Sequence, residues 1–392
     1  MQEKNIAWGR VKNCMRELTA YGNARKAQIG ADKVFDFSLG CPSAPVPEAV
    51  WQSMREALKL PDVHDKSPIE GLPALREAVA EDLNRRCGLG LDAGDVQIVT
   101  GAAGGLAICV NALLKPGDEA IVFTPYFTEY RVFLEGAGAK VVEVPPLADM
   151  QPDLDALEKA LTEMTRLVLV NTPNNPTGAI LSEASLQRLA DMLRKASERF
   201  GKPIYLVSDE PYRELCYDMP AIPCVMKAYA DSILCYSFSK SLSLPGERIG
   251  YLAVHPALAG KEAVFAALVK AAAALGYSGA PSLLQHALIP CVGMTADVEI
   301  YRRNRDLLYG MLTELGFSCV YPEGAFYLFM KAPIEDAKAF SEAAKRYELL
   351  LVPSDDFGLP GYLRLAYCVP TETIERSRDA FRALAKDFGL SN

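Results

Sequence analysis

A chain of 392 residues, half of them apolar and 23% charged, is long enough to bury one large core plus a smaller one. Its formal charge of −8 is spread without blocks of like sign, which argues against nucleic acid or an anionic membrane as partner. No run reaches the ~18 apolar residues of a membrane span, and Met1–Arg10 has no apolar leader-like core, so the expectation is a cytoplasmic protein. Ten cysteines are scattered without a C-x-x-C pair, which reads as small core residues in a reducing compartment, Cys109 and Cys235 among them. The three histidines (His64, His255, His286) are not spaced as ligand pairs, so no metal site is expected.

In chain order, Val46–Leu60 carries an apolar stripe at helical spacing, and Pro73 opens a second helix with Leu75, Val79 and Leu83 on one face. Short β-branched runs then recur at Val96–Thr100, Ala120–Phe123, Val141–Val144, Leu167–Asn171, Ile204–Ser208, Ser232–Tyr236 and Ile249–Val254. Helical stretches fall between most of them, notably Leu106–Leu114, Leu154–Leu161 and Ser182–Phe200. Continuous apolar strands with helical crossovers predict an α/β fold with a mainly parallel, doubly wound sheet. Beyond Ala280-Pro281 the pattern changes to helices at Tyr301–Leu315, Ile334–Tyr347 and Thr373–Phe388 around strands at Phe326–Met330 and Tyr362–Cys368. The division expected is an N-terminal arm and part of a small domain (1–45), a large domain (46–284) and a smaller α+β domain (285–392).

Ligands of such sheets bind beyond the carboxyl ends of the strands. There stand Gly101-Ala102-Ala103-Gly104-Gly105, then Phe127, the Pro- and Asn-rich turn Thr172–Gly178 presenting Asn175, then Asp209 with Tyr212. Each also has an ordinary reading: a structural turn, core packing, a plain loop, a helix cap. Next comes Ser237–Tyr251, where Lys240 stands among Ser237, Ser239, Ser241 and Ser243, with Arg248 eight positions on. A lysine between core strands is partly desolvated, which frees its amine to attack a carbonyl, and hydroxyls with an arginine beside it suit a phosphate. Together these predict a Schiff-base lysine holding a phosphorylated aldehyde cofactor.

The conjunction resembles the class I/II aminotransferases among fold-type I pyridoxal-phosphate enzymes. Asn171–Ile180 is similar to the family's Asn-Pro-Thr-Gly loop, Ser208–Tyr212 to its Asp-x-x-Tyr element, and Ser237–Tyr251 to its lysine segment. Tyr362–Tyr367 resembles the strand carrying its carboxylate-binding arginine, and Glu323–Tyr327 also fits. The likeness spans about residues 30 to 385 and implies an aspartate-aminotransferase-like large domain. It implies pyridoxal 5′-phosphate as cofactor, α-amino acids and 2-oxo acids as substrates, a ping-pong reaction, and a homodimer with shared active sites. By resemblance Lys240, Asp209 and Tyr212 are catalytic. Asp209 pairs with the ring nitrogen, Tyr212 and Asn175 with the phenolic oxygen, and Phe127 stacks on the ring. The phosphate falls to Ala102, Ala103, Gly104, Ser237, Ser239 and Arg248. Arg364 takes the substrate carboxylate, with Gly40 and Asn175 assisting. A carbon–sulfur β-lyase on the same scaffold stays open, and a non-catalytic cofactor-binding regulator is disfavoured by the full residue set.

Three positions depart from the family pattern. Lys66 replaces the tyrosine that reaches the neighbouring subunit's phosphate, and reads either as a solvated turn lysine or as a cation for that phosphate. Gly104 stands where many prokaryotic aspartate aminotransferases have a lysine for the distal carboxylate, which lowers the expected preference for dicarboxylic substrates. Cys41 follows Gly40 where relatives carry polar residues.

Overall fold

The computed structural model describes Trp8 and residues 14–390; the rest of the expected N-terminal arm lies outside the described residues. In chain order the strands are β1 (Phe35–Asp36), β2 (Val96–Val99), β3 (Glu119–Phe123), β4 (Lys140–Val144), β5 (Thr165–Asn171), β6 (Tyr205–Asp209), β7 (Ser232–Ser237) and β8 (Gly250–Val254). There follow β9 (Cys319–Val320), β10 (Tyr327–Lys331), β11 (Leu349–Leu350), β12 (Val352–Pro353) and β13 (Tyr362–Ala366). Seven of them form one sheet in the order β2-β8-β7-β6-β5-β3-β4. All pairs from β4 across to β7 are parallel, whereas β8 runs antiparallel to both β7 and β2. The carboxyl ends of β2, β3, β5, β6 and β7 therefore share one edge.

Successive residues of β5 point to opposite faces, as strand geometry requires. Leu167 and Leu169 join the apolar layer under the helices Gly101–Leu113 and Lys261–Ala274, while Val168 and Val170 join the layer under Leu154–Ala160 and Glu183–Phe200. Both faces are covered, which is why the strands read as unbroken apolar runs. The helices have local punctuation as well. Pro73 occupies the first turn of Pro73–Cys87 and Gly88 ends it in the left-handed region, while the Ser182 hydroxyl accepts from the Ser185 amide at the start of Glu183–Phe200.

A second sheet, β12-β13-β10-β9, is antiparallel throughout, and β1 pairs in parallel with β11 beside it. Helices Glu299–Glu314, Ala337–Ala344 and Thr371–Asp387 cover it through Leu308, Phe340 and Phe381. The same core takes in Tyr212 and Leu215 from just beyond β6, so the two sheets meet at the strand ends.

The reading of the cysteines as small core residues is corrected at one pair: Cys87 and Cys224 form a disulfide with a Cα–Cα distance of 6.0 Å. The partners are 137 residues apart and come together only because the end of helix Pro73–Cys87 folds beside the segment entering Val225–Ala228, a contact no local spacing encodes. Cys109 and Cys235 are buried, as read from their apolar surroundings.

Gly250 opens β8 opposite Ser237, and a Cβ there would lie 2.1 Å from the Tyr236 carbonyl oxygen. Gly250→Ala is expected to lower stability by about 1–3 kcal/mol, since backbone rather than a movable side chain must give way. A urea midpoint equal to wild type would contradict this close approach.

Candidate active site

The loops beyond β2, β5, β6 and β7, together with residues 38–40 and the strands β10 and β13, enclose a cavity of about 330 Å³. That size suits a small cofactor with substrate. Lys240 rises into it from the helical turn Phe238–Ser241 that directly follows β7. Its Nζ donates to the Gly40 carbonyl at 2.7 Å, and desolvation lowers its pKa from the ordinary lysine value. The Ser237 hydroxyl caps that turn and lies 2.8 Å from the Ser239 hydroxyl, to which Arg248 Nη1 donates at 3.1 Å. Arg248 is exposed and has a φ of 33°, a left-handed backbone that arginine rarely adopts and that aims its side chain back at the serines. Gly101, with φ 74°, leaves room for it: a Cβ there would stand 2.7 Å from Arg248 Nη2. The pair explains why a glycine opens the helix Gly101–Leu113, whose first amides face the same corner.

Asp209, the last residue of β6, is buried. Tyr130 donates to its Oδ2 at 2.5 Å, and its Oδ1 is buried with no hydrogen-bond partner among the described residues. Burial raises its pKa to about 7, opposed by the Tyr130 hydrogen bond and reinforced by the charge of Glu210. Tyr212, three residues on, shares a hydrogen bond of 2.9 Å with Tyr327 of β10.

Asn175 is held by its own loop. Asn171 donates from Nδ2 to the Asp209 carbonyl at 2.8 Å and accepts the Asn175 amide at 2.7 Å, while Asn174 takes both the amide and the hydroxyl of Thr177. Arg364, 2% exposed on β13, donates to Asn175 Oδ1 at 3.1 Å and to the Ser38 carbonyl at 2.6 Å. Its Nη2 also reaches Met15 Sδ at 3.3 Å, and its Nε is buried without a partner among the described residues.

Of the residues expected from sequence, Gly40, Ala102, Ala103, Phe127, Asn175, Asp209, Tyr212, Ser237, Ser239, Lys240, Arg248 and Arg364 all line this one cavity. Gly104 does not; it packs against Thr100, where a Cβ would sit 2.3 Å from the hydroxyl oxygen. Lys66 is exposed in the turn after the helix Glu48–Ala57 and is not among the lining residues. Of the flanking hydroxyls, Ser241 turns away to Tyr236. Sequence reading missed Tyr130 and Met15, and gave Tyr327 no role. Tyr130 had a signal, lying one residue short of a helical turn beyond Phe127, whose ring it meets edge-on.

The same fold occurs in solved aminotransferases. An aminotransferase from Eubacterium rectale superposes over 99% of both chains with a TM-score of 0.96 and 44% identity. The aspartate aminotransferase of Thermus thermophilus crystallised with maleate covers 96% of this chain and 98% of its own, at TM-score 0.86 and 28% identity. The architecture is thus the aspartate aminotransferase fold. The chain belongs to the aminotransferase class I and II family, whose profile matches residues 32–381, and it is an aminotransferase enzyme. It is 33% identical to the aspartate/prephenate aminotransferase of Thermus thermophilus over 95% of this chain and 97% of that one.

An acid whose folded pKa lies above its unfolded value stabilises the fold below the unfolded pKa and loses that contribution as pH rises through the folded one. For Asp209 the window runs from ~4, the usual aspartate value, to about 7. In cofactor-free protein, Asp209→Asn is expected to gain on wild type between pH 5 and pH 8 by on the order of a few kcal/mol. Urea unfolding at the two pH values measures the gain; an identical difference at both contradicts the burial argument.

Proposed function

We propose that this cavity binds pyridoxal 5′-phosphate, attached through Lys240, and that the enzyme moves an amino group between an α-amino acid and a 2-oxo acid in two half-reactions. The observation that carries the proposal is a pair of buried polar atoms, unpartnered among the described residues, on residues that line one cavity: Asp209 Oδ1, an acceptor, and Arg364 Nε, a donor. A protonated ring nitrogen satisfies the first and a substrate carboxylate the second. When bound, the cofactor supplies an aldehyde to take up the amine and a ring to spread the electron pair left at Cα.

The chain's own groups divide the remaining work. Desolvation favours the neutral amine of Lys240, which serves first as nucleophile and then as the base that takes the Cα proton. Asp209, steadied by Tyr130, keeps the ring nitrogen protonated by charge pairing. Tyr212 and Asn175 donate to the phenolic oxygen, and Phe127 supplies an apolar face for the ring. Ser237, Ser239, Arg248 and the Ala102 and Ala103 backbone form the phosphate corner. Arg364, already positioned by Asn175 and Ser38, fixes the α-carboxylate, with Gly40 backbone beside it.

We further propose a cytoplasmic homodimer in which Lys66 reaches the neighbouring subunit's phosphate. Trp51, Leu58 and Leu60, respectively 46, 57 and 41% exposed, present apolar surface in the same stretch as Lys66. The 46–284 and 285–392 domains would then move relative to each other around the cavity.

Lys240→Ala is expected to abolish turnover, by at least ~10³-fold. Arg364→Gln should raise KM for the amino acid on the order of 10²-fold, since it removes the buried partner of the carboxylate. The deciding experiment mixes holoenzyme with a panel of amino acids and follows cofactor absorbance together with 2-oxo acid release. Stoichiometric oxo acid without ammonia supports transamination; ammonia and pyruvate from cystathionine, with no half-reaction, would establish the β-lyase instead.

A further inference from the structure

Tyr327 is in contact with three parts of the site at once. Its hydroxyl is 2.9 Å from that of Tyr212, and its ring lies under the Arg364 guanidinium with Cζ 4.7 Å from the centroid. Its oxygen also abuts Gly40 so closely that a Cβ there would lie 2.0 Å away, and the Gly40 carbonyl is the acceptor for Lys240. The side chain is only 2% exposed, and among the described residues its hydroxyl has no hydrogen-bond partner except Tyr212.

Counting protons fixes the direction of that contact. Each phenol carries one proton. If Tyr212 spends its proton on an acceptor in the cavity, the proton between the two oxygens must come from Tyr327. We infer that Tyr327 is a positioning residue for the transamination site: it donates to Tyr212, aiming the Tyr212 proton into the cavity, while its ring fixes the plane of Arg364. A donor that is itself a hydrogen-bond acceptor is the stronger donor, so the two phenols act as a chain. The cation–π contact adds an aromatic face to the guanidinium's hydrogen bonds to Asn175 and Ser38. This inference rests on the proposed cofactor reading, in which Tyr212 donates to the ring's phenolic oxygen.

The test compares holoenzyme of wild type, Tyr327→Phe and Tyr327→Leu by the pH titration of the lysine-bound cofactor's absorbance, by kcat and KM, and by the Kd of an unreactive carboxylate. Tyr327→Phe keeps the ring and loses the proton. A weaker Tyr212 donor leaves more negative charge on the phenolic oxygen to hold the neighbouring proton. The titration midpoint should therefore rise by about half a unit to one unit and kcat fall about 3- to 10-fold. The carboxylate Kd should stay within about twofold in this variant. Tyr327→Leu should in addition weaken carboxylate binding about 3- to 10-fold. An unchanged titration midpoint in Tyr327→Phe overturns the proton chain, and equal carboxylate affinity in the two variants overturns the role of the ring. If wild type shows no lysine-bound cofactor absorbance at all, the cofactor reading itself fails.

Discussion

Three consecutive backbone carbonyls, those of Ser38, Leu39 and Gly40, each accept a hydrogen bond from a side chain elsewhere in the molecule: Arg364 at 2.6 Å, the Cys368 thiol at 3.5 Å and Lys240 at 2.7 Å. The segment is free to do so because it has just left strand pairing; β1 ends at Asp36, and the Phe37 carbonyl takes the Ala366 amide. These contacts bring the lysine end of the large sheet and the arginine strand of the small sheet to a common backbone. Without them the two basic groups would be buried with fewer acceptors, a costly arrangement. The glycine at position 40 belongs to the same constraint, since Tyr327 occupies the space of any side chain there.

Around this seam the site is built from ionisable groups, Asp209 and Arg364 buried and Arg248 exposed, and each is held by a different neighbour. Asp209 has Tyr130, Arg364 has Asn175 and the Tyr327 ring, and Arg248 has Ser239 and the Pro245 carbonyl. None of these partners neutralises its group with an opposite charge. The site thus keeps its charges available for a ligand, while the hydrogen bonds limit the desolvation cost.

Much of this was legible in the sequence because the strand ends are marked by local chemistry. The Asn-Pro turn, the Asp-x-x-Tyr pair and the lysine segment fall within one or two residues of β5, β6 and β7, so strand recognition located them. Boundaries slipped where tertiary geometry overrode propensity. The Gly101–Gly105 stretch read as a glycine-rich turn is already the first turn of a helix, and at Gly101 the backbone passes close to Arg248. Apart from the spacing of Tyr130 from Phe127, contacts between distant segments left no local pattern. Tyr130 meets Asp209 across 79 residues, Met15 meets Arg364 across 349, and the Cys87–Cys224 link spans 137. Tyr327 was visible as part of a motif, yet its role depends on Tyr212, Arg364 and Gly40 converging on one aromatic ring.

The reversal of β8 has a mechanical result. Because the chain turns straight back after β7 instead of crossing over through a long helix, Lys240 and Arg248 sit on one short excursion whose two stems are stitched together, Ser237 opposite Gly250 and Tyr236 opposite Tyr251. The Lys240 amine and the Arg248 guanidinium are thereby mounted on the same bracket. On the proposed reading, movement of the cleft at Arg364 would leave unaltered the spacing between the cofactor's anchor and its phosphate grip, because one hairpin carries both. Moving this chemistry to another scaffold would mean grafting the bracket with both its stems, not the lysine alone.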